Sequence, residues 1–226
     1  MVKKESAKLE NDTPAKAGGA FSPIAGFSNK AFGITKFILG VCLLPFVYSA
    51  SVAFLNEFSI IEISLQRYFW SGAVTFLIVY LFVWEPVIIY AKGQKLLEII
   101  FSFFKPLVRV APYLLPIYTI VLFTVYLIVS LITKSPQPLQ YTLFLTGFTT
   151  ALHLVFSAKS LRSKQGDFLK GNYTFGFSFV YILDLFIASL FLNFIFAKFS
   201  FVNFANNSFN TAANIFVAIF RQLFVI

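Results

Sequence analysis

The chain of 226 residues contains one cysteine and one histidine. A lone cysteine excludes an internal disulfide framework, and Cys42 lies inside an apolar run, where a thiol packs as a small hydrophobe. One histidine with one cysteine does not make a typical zinc site. HExxH, paired CxxC, a Walker loop and GxGxxG are all missing, and Gly176-Phe177-Ser178 lacks the second glycine of a G-x-S-x-G elbow. Charge is scarce as well: 12% of residues are charged, against about 25% in ordinary soluble domains. With nine acids in all, the clustered carboxylates of membrane phosphatases and transferases are not available. These absences point to no catalytic residues, no metal and no cofactor.

What fills the chain instead is apolar. Hydrophobic residues make up 58%, aromatics 19%, and phenylalanine alone contributes 32, for a mean hydropathy of +0.82. A spanning helix needs about 20 apolar residues, so there is room for five or six spans and none for a second, soluble domain. The expected fold is all-α: a polytopic membrane helical bundle of five transmembrane helices, with a sixth as the alternative, plus interfacial amphipathic helices.

Residues 1–33 are rich in Lys, Glu, Ala, Gly, Pro and Ser and read as a flexible cytoplasmic tail. Residues 34–226 form one transmembrane domain. Its spans are expected at about 37–55, 68–90, 113–133, 141–158 and 174–197. Pro45 is tolerable inside the first span, whereas Glu85-Pro86 marks a helix break near one end of the second. Lys92, Lys95, Glu98, Ser102, Lys105 and Arg109 recur every three or four positions, among Leu, Ile and Phe, which predicts a helix with a basic stripe lying in the headgroup plane. A weaker amphipathic pattern covers 55–69, with Glu57 on its polar side. Residues 209–226 are apolar but interrupted, and Asn210, Asn214 and Arg221 share one helical face. They read as an interfacial helix on the outer surface; a sixth, tilted span is the alternative and would return the C-terminus to the inside.

Fourteen of the 18 basic residues fall in residues 1–36 ahead of the first span, in 92–109 and in 159–170, leaving Arg67, Lys134, Lys198 and Arg221 for the other side. The positive-inside rule then puts the N-terminus in the cytoplasm, with a bacterial inner membrane as the favoured compartment and a eukaryotic endomembrane as the alternative. The same basic surplus points to anionic lipid headgroups and away from nucleic acid.

Polar residues at membrane depth are where function shows in this class. Asp184 stands ten residues into the fifth span, about 15 Å deep at ~1.5 Å per residue. His153 lies near the inner end of the fourth. Their neighbours form stripes: Thr142, Thr146, Thr149, Thr150, His153 and Ser157 on the fourth span, Thr174, Ser178, Tyr181 and Asp184 on the fifth, and Thr119, Tyr126, Ser130 and Thr133 on the third. In lipid such faces must meet protein or water. A seam of Asp184, His153, Thr146, Thr150, Ser178, Tyr181 and Tyr126 therefore either cements helices or lines a cavity for an ion, a proton or a headgroup. Lys159, Arg162, Lys164 and Lys170 cluster in the next connection, where they can hold a lipid phosphate or simply snorkel and fix topology.

The leading functional expectation is a non-enzymatic integral membrane subunit, a scaffold, assembly or channel component of a larger complex. The alternative is a small transporter or lipid-handling protein using the seam around Asp184 and His153, and a membrane enzyme acting on a lipid phosphate comes last. Expected partners are membrane lipids and either other membrane subunits or further copies of the chain.

Overall fold

The computed structural model describes residues 23–133, 137–163 and 173–224. Among these, the regular elements are all helical: α1 (Pro23–Phe58), α2 (Ile63–Ile78), a π-helical segment (Val79–Val83), α3 (Val87–Ile100), α4 (Lys105–Leu114), α5 (Ile117–Thr133), α6 (Gln137–Ser163), α7 (Tyr173–Ile195) and α8 (Phe201–Phe224). Three helical stretches are long and apolar enough to cross a membrane: Gly33–Phe58, Leu139–Arg162 and Tyr173–Ile195. A fourth apolar helix, Ile117–Ile132, is shorter. The described residues are thus all-helical, with the long apolar helices of a membrane protein.

Several expected boundaries shift. The tail expected over 1–33 lies outside the described residues as far as residue 22, but 23–33 already belongs to α1. Pro23 opens that helix, at a position where the N–H it lacks would have no helical partner. The stretch 68–90 is not one helix. It divides at the break expected at Glu85-Pro86: Trp84 is extended, with φ −164° and ψ 140°, and Pro86 offers no N–H and disfavours helical geometry in Glu85 before it. The helix expected between Lys92 and Arg109 is likewise two: α3 ends at Ile100, and α4 restarts at Lys105 with Pro106 in its first turn. The pattern over 55–69 is divided by a turn between Phe58 and Ile63, and Glu57 is buried, at 5% exposure, instead of facing out.

Two close approaches organise the bundle. The first joins α2 to α6. A Cβ on Gly72 would lie 1.8 Å from the backbone oxygen of Phe144, and one on Gly147 would lie 1.9 Å from that of Phe69. Only glycine allows these backbones to touch, which is how spans associate where lipid tails are as apolar as leucine. From that crossing the helices run the same way. Phe76 meets Phe148 edge-on at 5.3 Å, and Tyr80 meets Phe156 at 5.8 Å.

The second approach joins α1 to α8, which starts at Phe201 and not at 209. Its first turn is held from three sides. Asn193 Oδ1 accepts the Phe201 N–H at 3.0 Å, Ser200 Oγ accepts that of Asn203 at 3.1 Å, and the Glu57 carboxylate accepts that of Ser200 at 3.2 Å. These acceptors satisfy N–H groups that a helix leaves open, and the carboxylate suits the positive end of the helix dipole. From there α8 runs back along α1. Phe204 meets Phe54 at 6.5 Å, and Phe216 meets Phe46 at 5.9 Å. The helix expected at 209–226 is the later part of α8, which packs along α1 from Phe201 onward.

Candidate functional site

α6 and α7 bring the two deep ionisable residues together. His153 Nδ1 lies 2.8 Å from Asp184 Oδ2. The contact continues along α6: His153 Nε2 is 3.2 Å from Ser157 Oγ, one turn on. Ser157 Oγ is also 3.2 Å from the Tyr90 hydroxyl and 3.3 Å from the Tyr113 backbone oxygen. Four side chains from α7, α6 and α3 thus form one hydrogen-bonded row, Asp184–His153–Ser157–Tyr90. His153, Ser157 and Asp184 are 4%, 0% and 2% exposed.

Helical period places these groups. His153 and Ser157 are four apart and share a face of α6. Tyr90 reaches them because the break at 84–86 lets α3 leave the line of α2, stacking Tyr90 on Phe156 at 5.2 Å. Just beyond the break, the exposed Lys159 ammonium pairs with the Glu85 carboxylate.

The row accommodates either of two proton arrangements. With His153 neutral, Nδ1–H donates to the Asp184 carboxylate and the Ser157 hydroxyl donates to Nε2. With His153 protonated, Nε2–H donates to Ser157 Oγ, whose own proton turns to the Tyr113 carbonyl. One added proton therefore reorients one hydroxyl and orphans no group. Asp184 Oδ1 has no partner among the described residues, so the carboxylate keeps a free acceptor.

The order Asp–His–Ser also occurs in serine hydrolases. Here Ser157 is completely buried, and the cavity against His153 has a volume of about 10 Å³. That is room for about one water, not for an ester or a peptide. The cavity is lined by Tyr90, Gln94, Pro112, Tyr118 and Thr149 among others. Another recess, of about 230 Å³, is lined by Thr150 and Tyr181, one turn from His153 and Asp184, together with Ser51, Trp70 and other apolar residues.

The remaining seam residues divide. Thr146 is buried and donates to the Thr142 backbone oxygen of its own helix at 2.7 Å. Thr150 Oγ1 has no partner among the described residues. Tyr181 turns to α1, with its hydroxyl 2.9 Å from Ser51 Oγ. Ser51 in turn donates to the Val47 oxygen at 2.7 Å, so in that pair Tyr181 is the donor. Ser178 is buried on α7. From α5, Thr119 joins Thr149 at 2.9 Å, whereas Tyr126 is half-buried and takes no part in the row. Of the basic cluster, Lys159 is paired with Glu85 and Arg162 is exposed; Lys164 and Lys170 lie outside the described residues. Among the described residues no group of three or more His, Cys, Asp or Glu gathers as metal ligands.

Sequence reasoning did not bring Tyr90 to the row and put Glu57 on a polar face instead of at the start of α8. Nothing in their spacing marks them, because each acquires its role from a helix end that turns the chain. Compared with protein-family models, curated proteins and solved structures, the chain matches none. The chemistry of the buried row is therefore the guide to function.

Proposed function

We propose that the chain is a small, non-enzymatic membrane transporter or channel in which the Asp184–His153 pair takes up and passes a proton. The observation that supports this reading is the continuous row Asp184–His153–Ser157–Tyr90, with two compatible proton arrangements and a water-sized cavity against His153. A buried pair serving only as cement would need neither the extension to Ser157 and Tyr90 nor that cavity.

The proposed topology has six spans: α1, α2 with its π extension, α5, α6, α7 and α8. α2 and the π segment together cover 63–83, about 31 Å at ~1.5 Å per residue. α8 counts as the sixth span because it runs back along α1. Both termini then lie on the cytoplasmic side, with α3 and α4 packed against the inner ends of α6 and α7. Arg221 joins the basic side, which sharpens the charge bias, and a bacterial inner membrane remains the favoured location.

The test is proton flux. The full chain is reconstituted into vesicles holding a pH-sensitive dye, and a potassium diffusion potential is imposed. The wild type is expected to acidify the lumen faster than empty vesicles, and Asp184→Asn and His153→Gln to return the rate to background while inserting normally. A wild type as tight as empty vesicles, or variants that conduct as well as the wild type, would overturn the reading. A second reading, a subunit of a larger membrane complex, is favoured by the exposed apolar end of α8, where Val217, Phe220, Leu223 and Phe224 are uncovered. Recovery of the chain in a stoichiometric complex with other proteins from mild detergent would support it.

A further inference from the structure

α8 carries a polar face that its own chain does not cover. Asn203, Asn206, Asn207, Asn210, Asn214 and Arg221 are all exposed. At about 100° per residue they fall within about 100° of arc. The buried residues of the helix, Phe204, Ser208 and Ala212, lie on the opposite side, so the asparagines face away from the bundle. Among the described residues none of their side-chain amides has a partner.

The depth of this stripe makes it unusual. Phe204 is level with Phe54 and Phe216 with Phe46, so Asn207, Asn210 and Asn214 lie alongside the part of α1 between those two phenylalanines, inside its apolar stretch Gly33–Phe58. Asn210 is ten residues past Ser200, about 15 Å along the axis. A row of amides at that depth cannot remain against hydrocarbon and must find protein or water.

We propose that this face binds a second copy of the chain, α8 against α8 about a two-fold axis along the membrane normal. An amide side chain is both donor and acceptor, and a two-fold axis brings each asparagine to its own counterpart, so the stripe complements itself. No acid interrupts it, and its one cation, Arg221, lies about 31 Å from Ser200. There it reaches the headgroups and snorkels clear of its copy. Ala218, exposed on the same side, lets the two backbones close. The dimer rests on the reading of α8 as a span.

The test is a cysteine scan of the full-length chain in native membranes, in a Cys42→Ser background. Asn203, Asn207, Asn210 and Asn214 are each changed to cysteine, with Phe209 and Ile219, exposed on other faces, as controls. Mild oxidation is expected to give dimers of the chain at the four asparagine positions and monomers at the two controls. The combined Asn207→Leu, Asn210→Leu, Asn214→Leu chain is expected to run as a monomer in a mild detergent that preserves the wild-type dimer. Uniform cross-linking, none at any position, or cross-linking to a different protein would overturn the proposal. A C-terminal tag separates the two failures: a tag outside the membrane defeats the six-span reading, whereas a tag inside with no periodic cross-linking defeats only the dimer.

Discussion

His153 of α6 and Asp184 of α7 are 2.8 Å apart and almost sealed from solvent, so neither can lose its partner without leaving a stranded polar group. Removing one member of a buried pair costs about 3–5 kcal/mol, whereas replacing both with apolar residues is often neutral. Asp184→Ala and His153→Ala should each lower the unfolding temperature in detergent, and the combined Asp184→Leu, His153→Leu chain should recover most of the loss. Asp184→Asn keeps an acceptor for the imidazole and should unfold close to wild type. An unchanged melting temperature in both alanine variants would show that the pair does not hold α6 to α7.

The glycine crossing predicts a contrast within one residue type. Gly72→Ala and Gly147→Ala would drive a methyl group into the backbone of Phe144 or Phe69, so either should push α2 from α6 and sharply reduce the amount of inserted protein. Gly33 has nothing within 4 Å of an added Cβ. There alanine should be neutral or stabilise by roughly 0.5–1 kcal/mol, through the helix preference of alanine over glycine. Membrane abundance and detergent melts of the three variants check this.

At the start of α8, Ser200→Ala should cost about 1 kcal/mol, as expected for a lost N-cap. Glu57→Gln should weaken the same turn by removing the carboxylate from the positive end of the helix. Hydrogen exchange localises the effect: amides of 200–204 should exchange faster in both variants, with those of α6 and α7 unchanged.

Topology gives a prediction independent of activity. A reporter fused after Ile226 should be cytoplasmic, on the same side as one fused before Met1. Paired fusions active only in the cytoplasm or only outside it decide the matter, and a C-terminal reporter active outside returns the count to five spans.

Much of the bundle is legible in the residues. Runs of Phe, Leu, Ile and Val mark the spans, and a period of 3.6 places His153 with Ser157 and singles out Asp184. Three things were not legible, each for a physical reason. Glu85-Pro86 marks a helix break in the sequence, but nothing there tells that the break turns α3 and brings Tyr90 to Ser157. A buried carboxylate such as Glu57 looks like a surface one until the helix end that it caps is in place. The asparagines of α8 read equally well as facing water or facing another helix, because an amide is satisfied by either.

The Gly72–Gly147 crossing also sets an order in time. The two glycines are 75 positions apart in the chain, so on the proposed six-span topology α2 leaves the insertion machinery well before α6 exists to receive it. In that interval its glycine notch faces lipid. α2 therefore reaches its final place late, and a chain truncated before residue 137 should hold it loosely, as a ready substrate for membrane proteases.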